Sequence, residues 1–282
     1  MSTAPAGISW RSIVRRITDA RRLRVRPTGK RLDGYNLLEV NLRLAGRPIS
    51  VLIREDTTDL DLVRLILCPD SEYRLPPQVY PRVIFDIGAN IGITAVYFSV
   101  MYPEAEIYCF EPLPQNVELL LANADRNAAR VRAFNYGLAD RTGTFPYHLS
   151  EDPRSFGGGT FEQVGHDPGR VLELQLRRIE DVIREQNIRS VDLFKIDTEG
   201  SEWAILQAIP ESIRRRAQAF IGELHGRDDW AFCQMLHESH AVGIQKRYDR
   251  RCFNFLAVRY DMVQGQNAAA GGTTSTLLSR AA

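Results

Sequence analysis

The eight residues Phe85-Asp86-Ile87-Gly88-Ala89-Asn90-Ile91-Gly92 join an apolar run to a stretch with helical periodicity. Gly88 and Gly92 permit a sharp turn and a close backbone approach to a ligand, because no Cβ stands in the way. Ala89 and Asn90 lie between them, and Asn90 takes the place of the second glycine in a G-x-G-x-x-G loop. Asp86 is poorly placed beside a pyrophosphate and suits a cationic amino-acid group. The loop therefore disfavours NAD or NADP, and with them an NAD(P)-dependent oxidoreductase. Glu111 lies 19 positions beyond Gly92, at the end of Ile107-Tyr108-Cys109-Phe110, and Pro112 stops that strand. A carboxylate at such a strand tip can accept both ribose hydroxyls of an adenosine ligand, whichever ligand carries them.

A third block, Lys195-Ile196-Asp197-Thr198-Glu199-Gly200-Ser201-Glu202, places three carboxylates within six residues. They can orient a ligand, take a proton or hold a metal. Negative charge is also favourable at a helix start. Asp197 is read as functional and Glu202 as capping, while Glu199 fits either role. His225 ends Gly222-Glu223-Leu224-His225 and titrates near neutrality when unperturbed, so it is a base candidate or a loop-bonding residue. A metal-assisted arrangement would draw on Asp197, Glu199 and Glu223; the reading adopted contains no metal.

Strands alternating with helices must position these blocks. Apolar runs at Val83–Ile87, Ile107–Phe110, Val131–Tyr136, Val191–Ile196 and Ala219–Leu224 alternate with helical patterns at Ile91–Val100, Gln115–Ala124 and Trp203–Ala208. That alternation predicts a parallel sheet covered by helices on both faces, closed by a strand at Phe253–Val258. Upstream, Leu37–Leu44 and Ile49–Ile53 read as a hairpin turning at Gly46, followed by a helix from Asp59 to Leu67 capped by Thr57 or Thr58. Trp10, Ile13, Val14 and Ile17 share one face of a further helix whose remaining surface is rich in arginine. Such a helix packs on the domain or lies on an anionic membrane. Between His148 and Gly169 the run Gly157-Gly158-Gly159 predicts a mobile loop, either a lid over an acceptor or a passive surface excursion.

The three blocks, in this order and spacing, resemble the FkbM family of class I methyltransferases over roughly Ile49 to Val258. The resemblance implies an α/β, Rossmann-like fold with a seven-stranded, mostly parallel sheet whose last strand runs antiparallel. It also implies S-adenosyl-L-methionine as cofactor. Carried over by position, Asp86, Gly88, Asn90 and Gly92 would surround the methionine part and Glu111 the ribose, with Ala89, Pro112 and Asp197 also counted among the cofactor-binding residues. Gly137-Leu138-Ala139-Asp140 resembles the family's next block; Asp140 would approach the adenine or form a turn with Thr142-Gly143. Asp197, Glu199 and His225 are then the candidates to take a hydroxyl proton from a sugar, glycan, glycolipid or polyketide-type acceptor.

The expected organisation is a basic N-terminal segment over 1–33, a hairpin and helix over 34–80, a catalytic domain over 81–262 and a disordered tail over 263–282. Composition agrees with a soluble protein: 44% hydrophobic, 25% charged and a net charge of +1. Four scattered cysteines give neither a disulfide framework nor a zinc pattern. No nucleic-acid module is evident. A cytoplasmic location is expected, with peripheral contact at the inner face of the membrane through the basic segment. A fold that binds adenosylmethionine or a partner without turnover is the reading outside catalysis.

Overall fold

The computed structural model describes residues 23–68, 71–150, 152, 154–161, 170–226, 228–246 and 252–263. The expected helix over Trp10–Ile17 and the expected disordered tail lie outside them, apart from Val263. The described chain opens with β1 (Arg24–Leu32), β2 (Tyr35–Leu44) and β3 (Arg47–Arg54), an antiparallel meander. Both connections are two-residue loops with positive φ at each position, Asp33-Gly34 and Ala45-Gly46. Such turns match the right-handed twist of paired strands. The expected hairpin is therefore two strands of three. The boundary drawn at 33/34 passes through the turn joining β1 to β2. β1 is exposed along nearly its whole length, so it carries no apolar alternation from which a strand could be read.

After α1 (Asp59–Ile66) come β4 (Val83–Ile87), α2 (Ile93–Met101), β5 (Glu106–Phe110), α3 (Pro114–Arg126) and β6 (Val131–Phe134). A small sheet of β7 (Gly137–Ala139), β8 (Gly143–His148) and β9 (Val171–Arg178) leads to α4 (Ile179–Glu185) and β10 (Leu193–Ile196). The chain continues through α5 (Glu202–Ala208), α6 (Glu211–Arg214), β11 (Ala219–Leu224), α7 (Asp229–His237), β12 (His240–Lys246) and β13 (Phe253–Arg259). The main sheet has the order β12-β13-β11-β10-β4-β5-β6, and β13 alone runs antiparallel to its neighbours. This is the Rossmann-like, seven-stranded arrangement expected, with β12 and the small sheet added to the strands legible in the sequence.

One face of this sheet carries a row of phenylalanines, one from each of five adjacent strands. Ring centroids lie 5.2 Å apart for Phe134 and Phe110, 5.1 Å for Phe110 and Phe85, 5.5 Å for Phe85 and Phe194, and 5.0 Å for Phe194 and Phe220. Offset and edge-on contacts at this spacing favour a fixed register as well as burial. The strand order reverses between β4 and β10, because β5 and β6 lie to one side and β10 and β11 to the other. A ligand crevice is expected beyond the carboxyl ends at such a point. No helix among the described residues is long and apolar enough to cross a membrane.

Buried Asn123 of α3 stitches the meander onto this sheet. Its Oδ1 accepts the Leu52 N–H at 2.6 Å, and its Nδ2 donates to the carbonyls of Leu52 (3.1 Å) and Ile91 (2.9 Å). Asn123→Ala leaves these groups without partners and is expected to lower stability by about 3 kcal/mol. Urea unfolding checks it: the midpoint should fall with the m-value unchanged.

Candidate active site

At the switch point, Asp86 of β4 faces Lys195 of β10 across the sheet as a register partner. Both side chains are buried, 0% and 2% exposed, with Lys195 Nζ 3.2 Å from Asp86 Oδ1. Lys195 Nζ donates to the carbonyls of Gly88 (2.5 Å) and Ile87 (3.2 Å), so its contact with Asp86 is an ion pair rather than an aligned hydrogen bond. Thr94 Oγ1 donates to the other Asp86 oxygen. Burial opposes the charge on Lys195, but Asp86 and Asp197 outweigh it and hold its pKa above the usual lysine range.

The ammonium thereby bolts down the glycine loop. Gly88 has φ +76°, and a Cβ there would lie 1.9 Å from the Asp197 carbonyl oxygen, so only glycine fits. The N–H groups of Gly88 and Ala89 donate to the Phe110 carbonyl. The Asn90 N–H donates to Glu111 Oε2 at 2.9 Å. Glu111 Oε1 accepts from Leu113 N–H (3.0 Å) and Asn116 Nδ2 (3.1 Å). Burial raises the pKa of Glu111, and these three donors oppose the rise.

A cavity of about 380 Å³ opens over this loop, within the range of small-molecule sites. Gly88, Ala89, Asn90, Glu111 and Pro112 form one wall, and Asp197, Glu199 and Glu223 another. The segment Ser155–Gly159 lies across it, with Tyr147 and Phe161 beside it. Asn90 Oδ1 is buried and makes no hydrogen bond among the described residues. Asp197 accepts the Tyr73 hydroxyl at 3.0 Å, and burial raises its pKa.

Glu199 has φ +58°, a left-handed conformation that a non-glycine residue rarely adopts. Glu202 holds the turn in that shape. Its carboxylate accepts the N–H of Thr198 at 3.1 Å and of Gly200 at 3.1 and 3.2 Å, and the Thr198 hydroxyl at 3.3 Å. Burial pushes Glu199 up to about 7, against the His225 charge, which lowers it. The His225 ring is 15% exposed and boxed by acids: Nδ1 is 3.1 Å from Glu202, and Nε2 is 3.3 Å from Glu223 and 3.7 Å from Glu199. Burial disfavours its charge, but Glu202, Glu223, Asp197 and Glu199 prevail and push it up to about 12.

Residues 86–255 match the family model described as the methyltransferase FkbM domain. The chain belongs to the FkbM methyltransferase family. It is 31% identical over 158 residues to Methyltransferase sdnD of Sordaria araneosa, covering 45% of this chain and 60% of that protein. It is 29% identical to the 31-O-demethyl-FK506 methyltransferase FkbM of Streptomyces tacrolimicus, covering 52% of this chain and 66% of that one. With the 2-O-methyltransferase NoeI of Sinorhizobium fredii it shares 27% identity, covering 66% and 78%. The chain thus spans less than two thirds of the first two relatives' length.

Set against the family's blocks, Gly88, Ala89, Asn90, Glu111, Pro112, Asp197 and Glu199 meet at one cavity. Asp86 does not line it; its cation is Lys195, not a ligand. Gly92 lies behind the loop, where a Cβ would meet Leu120. Asp140 is exposed and outside the cavity lining, because β7 carries it past the rim. His225 sits behind Glu199 and Glu223, does not line the cavity, and has its pKa raised by the carboxylates around it. Among the described residues, the potential metal ligands within 4.8 Å of one another are Glu223, His225 and Cys252. Asp197 and Glu199 are outside that group, Asp197 being turned to Tyr73. Lys195, Tyr73 and Asn116 were not picked out from sequence; a lysine inside the apolar run Leu193–Ile196 was the one available signal.

Lys195→Met leaves Asp86 buried without its cation and is expected to cost about 3–5 kcal/mol. Adding Asp86→Leu should recover part of that loss. Chemical denaturation of both variants checks the order; a double variant no more stable than Lys195→Met would refute the pairing.

Proposed function

We propose that this FkbM-family chain binds S-adenosyl-L-methionine and transfers its methyl group to a hydroxyl of a sugar, glycan, glycolipid or polyketide-type natural product. The observation that carries the reading is the cavity wall. Glu111, prearranged by three donors, lines the cavity with Asp197, Glu199 and Glu223 beside the glycine loop, and Lys195, which also lines it, is spent on Asp86 and the loop carbonyls. A cationic sulfonium and ammonium suit that lining, whereas a pyrophosphate does not. Asn90 Oδ1, without a hydrogen-bond partner among the described residues, offers an acceptor to a ligand ammonium. Glu111 would hold the ribose, and the Gly88–Asn90 backbone with Asp197 the amino-acid part. The names of the FkbM and NoeI relatives point to oxygen as the atom methylated.

Bound adenosylmethionine supplies a methyl group open to in-line displacement by an acceptor oxygen, so orientation does much of the work. The chain must still remove the hydroxyl proton. Glu199 is the base in this reading, since it lines the cavity and its pKa of about 7 is matched to neutral conditions. His225 serves as a fixed cation that keeps Glu199 from rising further, and Asp197 orients the ligand together with Tyr73.

Calorimetric titration tests the cofactor. Adenosylmethionine and adenosylhomocysteine should bind saturably, NAD should not, and Glu111→Ala should abolish binding; binding of NAD alone would overturn the reading. Single-turnover methylation of polyhydroxylated acceptors tests the base. Glu199→Gln should slow it about 100- to 10,000-fold while leaving adenosylhomocysteine affinity intact. In the wild type, the rate should rise with pH through about 7, as Glu199 loses its proton. His225→Gln removes the charge that lowers the Glu199 pKa, so the limb should move to higher pH. Loss of all activity in His225→Gln, with no shifted limb, would return the base role to the histidine.

A further inference from the structure

The residues before Asp86 fall outside the matched family domain, yet the meander reaches the carboxylate assigned to the ribose. Arg54, the last residue of β3, is 1% exposed and pairs with Asp59 through two bonds, Nε to Oδ2 at 2.9 Å and Nη2 to Oδ1 at 3.0 Å. A pair needed only to neutralise buried charge would end there. Instead, Arg54 Nη1 donates to Asn116 Oδ1 at 2.9 Å. Guanidinium only donates, so this bond turns the amide oxygen of Asn116 to Arg54 and the amide nitrogen the other way. That nitrogen donates to Glu111 Oε1 (3.1 Å) and to the Phe156 carbonyl (3.2 Å), both acceptors.

The same guanidinium lies over the Phe156 ring, 3.8 Å from its centroid. Tyr35 of β2 meets that ring edge-on at 5.3 Å, and the Thr58 N–H donates to the Arg154 carbonyl at 3.1 Å. Three parts of the N-terminal addition therefore grip the segment that leads into Gly157–Gly159. A Cβ on Gly157 would lie 2.9 Å from Asn90 Nδ2, so the gripped segment packs directly on the cofactor loop.

We infer that Arg54 is a positioning residue that fixes Glu111 through Asn116 and holds the glycine segment over the cavity through Phe156. Resting on the adenosylmethionine reading above, the inference makes cofactor affinity and the placement of residues 154–161 two outputs of one side chain. The meander is then part of the active site rather than an appendage. Lysine cannot replace Arg54, because an ammonium cannot bind Asp59 through two parallel bonds, donate to Asn116 and lie flat on Phe156 together.

Hydrogen exchange and calorimetry on the full chain test this with Arg54→Lys, Phe156→Leu and the double variant. Phe156→Leu keeps the Arg54–Asp59 pair and should fold even if Arg54→Lys does not. Each single variant should speed amide exchange in 154–161 while leaving β10 and β11 unchanged, a readout that needs no ligand. Each should weaken adenosylhomocysteine binding about tenfold, and the double variant little beyond the worse single one, because both act through one network. Unchanged exchange in 154–161, or affinity losses that multiply in the double variant, would overturn the inference. If the wild-type chain binds no adenosylhomocysteine, the cofactor reading falls and the affinity half of the inference falls with it. Exchange confined to its wild-type rate in both single variants would instead sink the inference alone.

Discussion

An ammonium and a carboxylate taken out of water together need more than mutual attraction to hold them. At Lys195 and Asp86 the additional partners are pieces of the site itself. The carbonyls of Ile87 and Gly88 accept from the ammonium, Thr94 at the start of α2 donates to the carboxylate, and Asp197 lies two residues beyond the lysine. The pair spans the boundary at which the sheet reverses its strand order. Its geometry thus sets, in one place, the turn of the glycine loop, the start of α2 and the departure of the acidic turn after β10. The phenylalanine row on the sheet keeps β4 and β10 in the register that this meeting requires.

Because the buried lysine is already paired, the cavity above it keeps an excess of carboxylate, and the surroundings assign each acid a different state. Glu111 is steadied by three N–H donors and Glu202 by the N–H groups of its own turn and by His225. Glu199 is raised by burial to about 7, while His225, surrounded by acids, is held at about 12. Environments that drive neighbouring titratable groups apart are what divide acid, base and spectator roles in catalytic sites. Here burial raises Glu199 while the neighbouring His225 charge holds it down, and that opposition is what the proposed base role rests on.

The sequence carried those features that depend on local pattern. Apolar runs were enough for five strands of the parallel sheet and for a closing strand, and glycine spacing for the turn after β4; the antiparallel direction of the closing strand came from the family resemblance. Features dependent on distant partners were not legible. Asp86 looked like a ligand carboxylate because its cation lies 109 positions away on another strand. The surroundings of His225 were only partly legible: Glu223 stands two residues away, but Asp197, Glu199 and Glu202 reach the ring from the turn after β10, which no spacing reveals. β1 was missed for a different reason: an exposed edge strand buries no face, so it has no period-two signal. The small sheet was not read as strands, because β8 and β9 are separated by the glycine-rich excursion and become a pair only once folded.

The division between what was legible and what was not follows the division of labour in the molecule. The candidate site sits at strand tips, where rigid neighbours fix each group, while the meander and the glycine excursion run over the rim. The meander and the glycine excursion meet at Arg54, Phe156 and Asn116, and there the rim contacts a strand-tip carboxylate directly. A substitution in the meander can therefore reach Glu111 through two hydrogen bonds without touching the family domain's own motifs. The placement of the glycine segment at the rim and the geometry of Glu111 at the strand tip are then mechanically joined, because Asn116 donates to both Phe156 and Glu111.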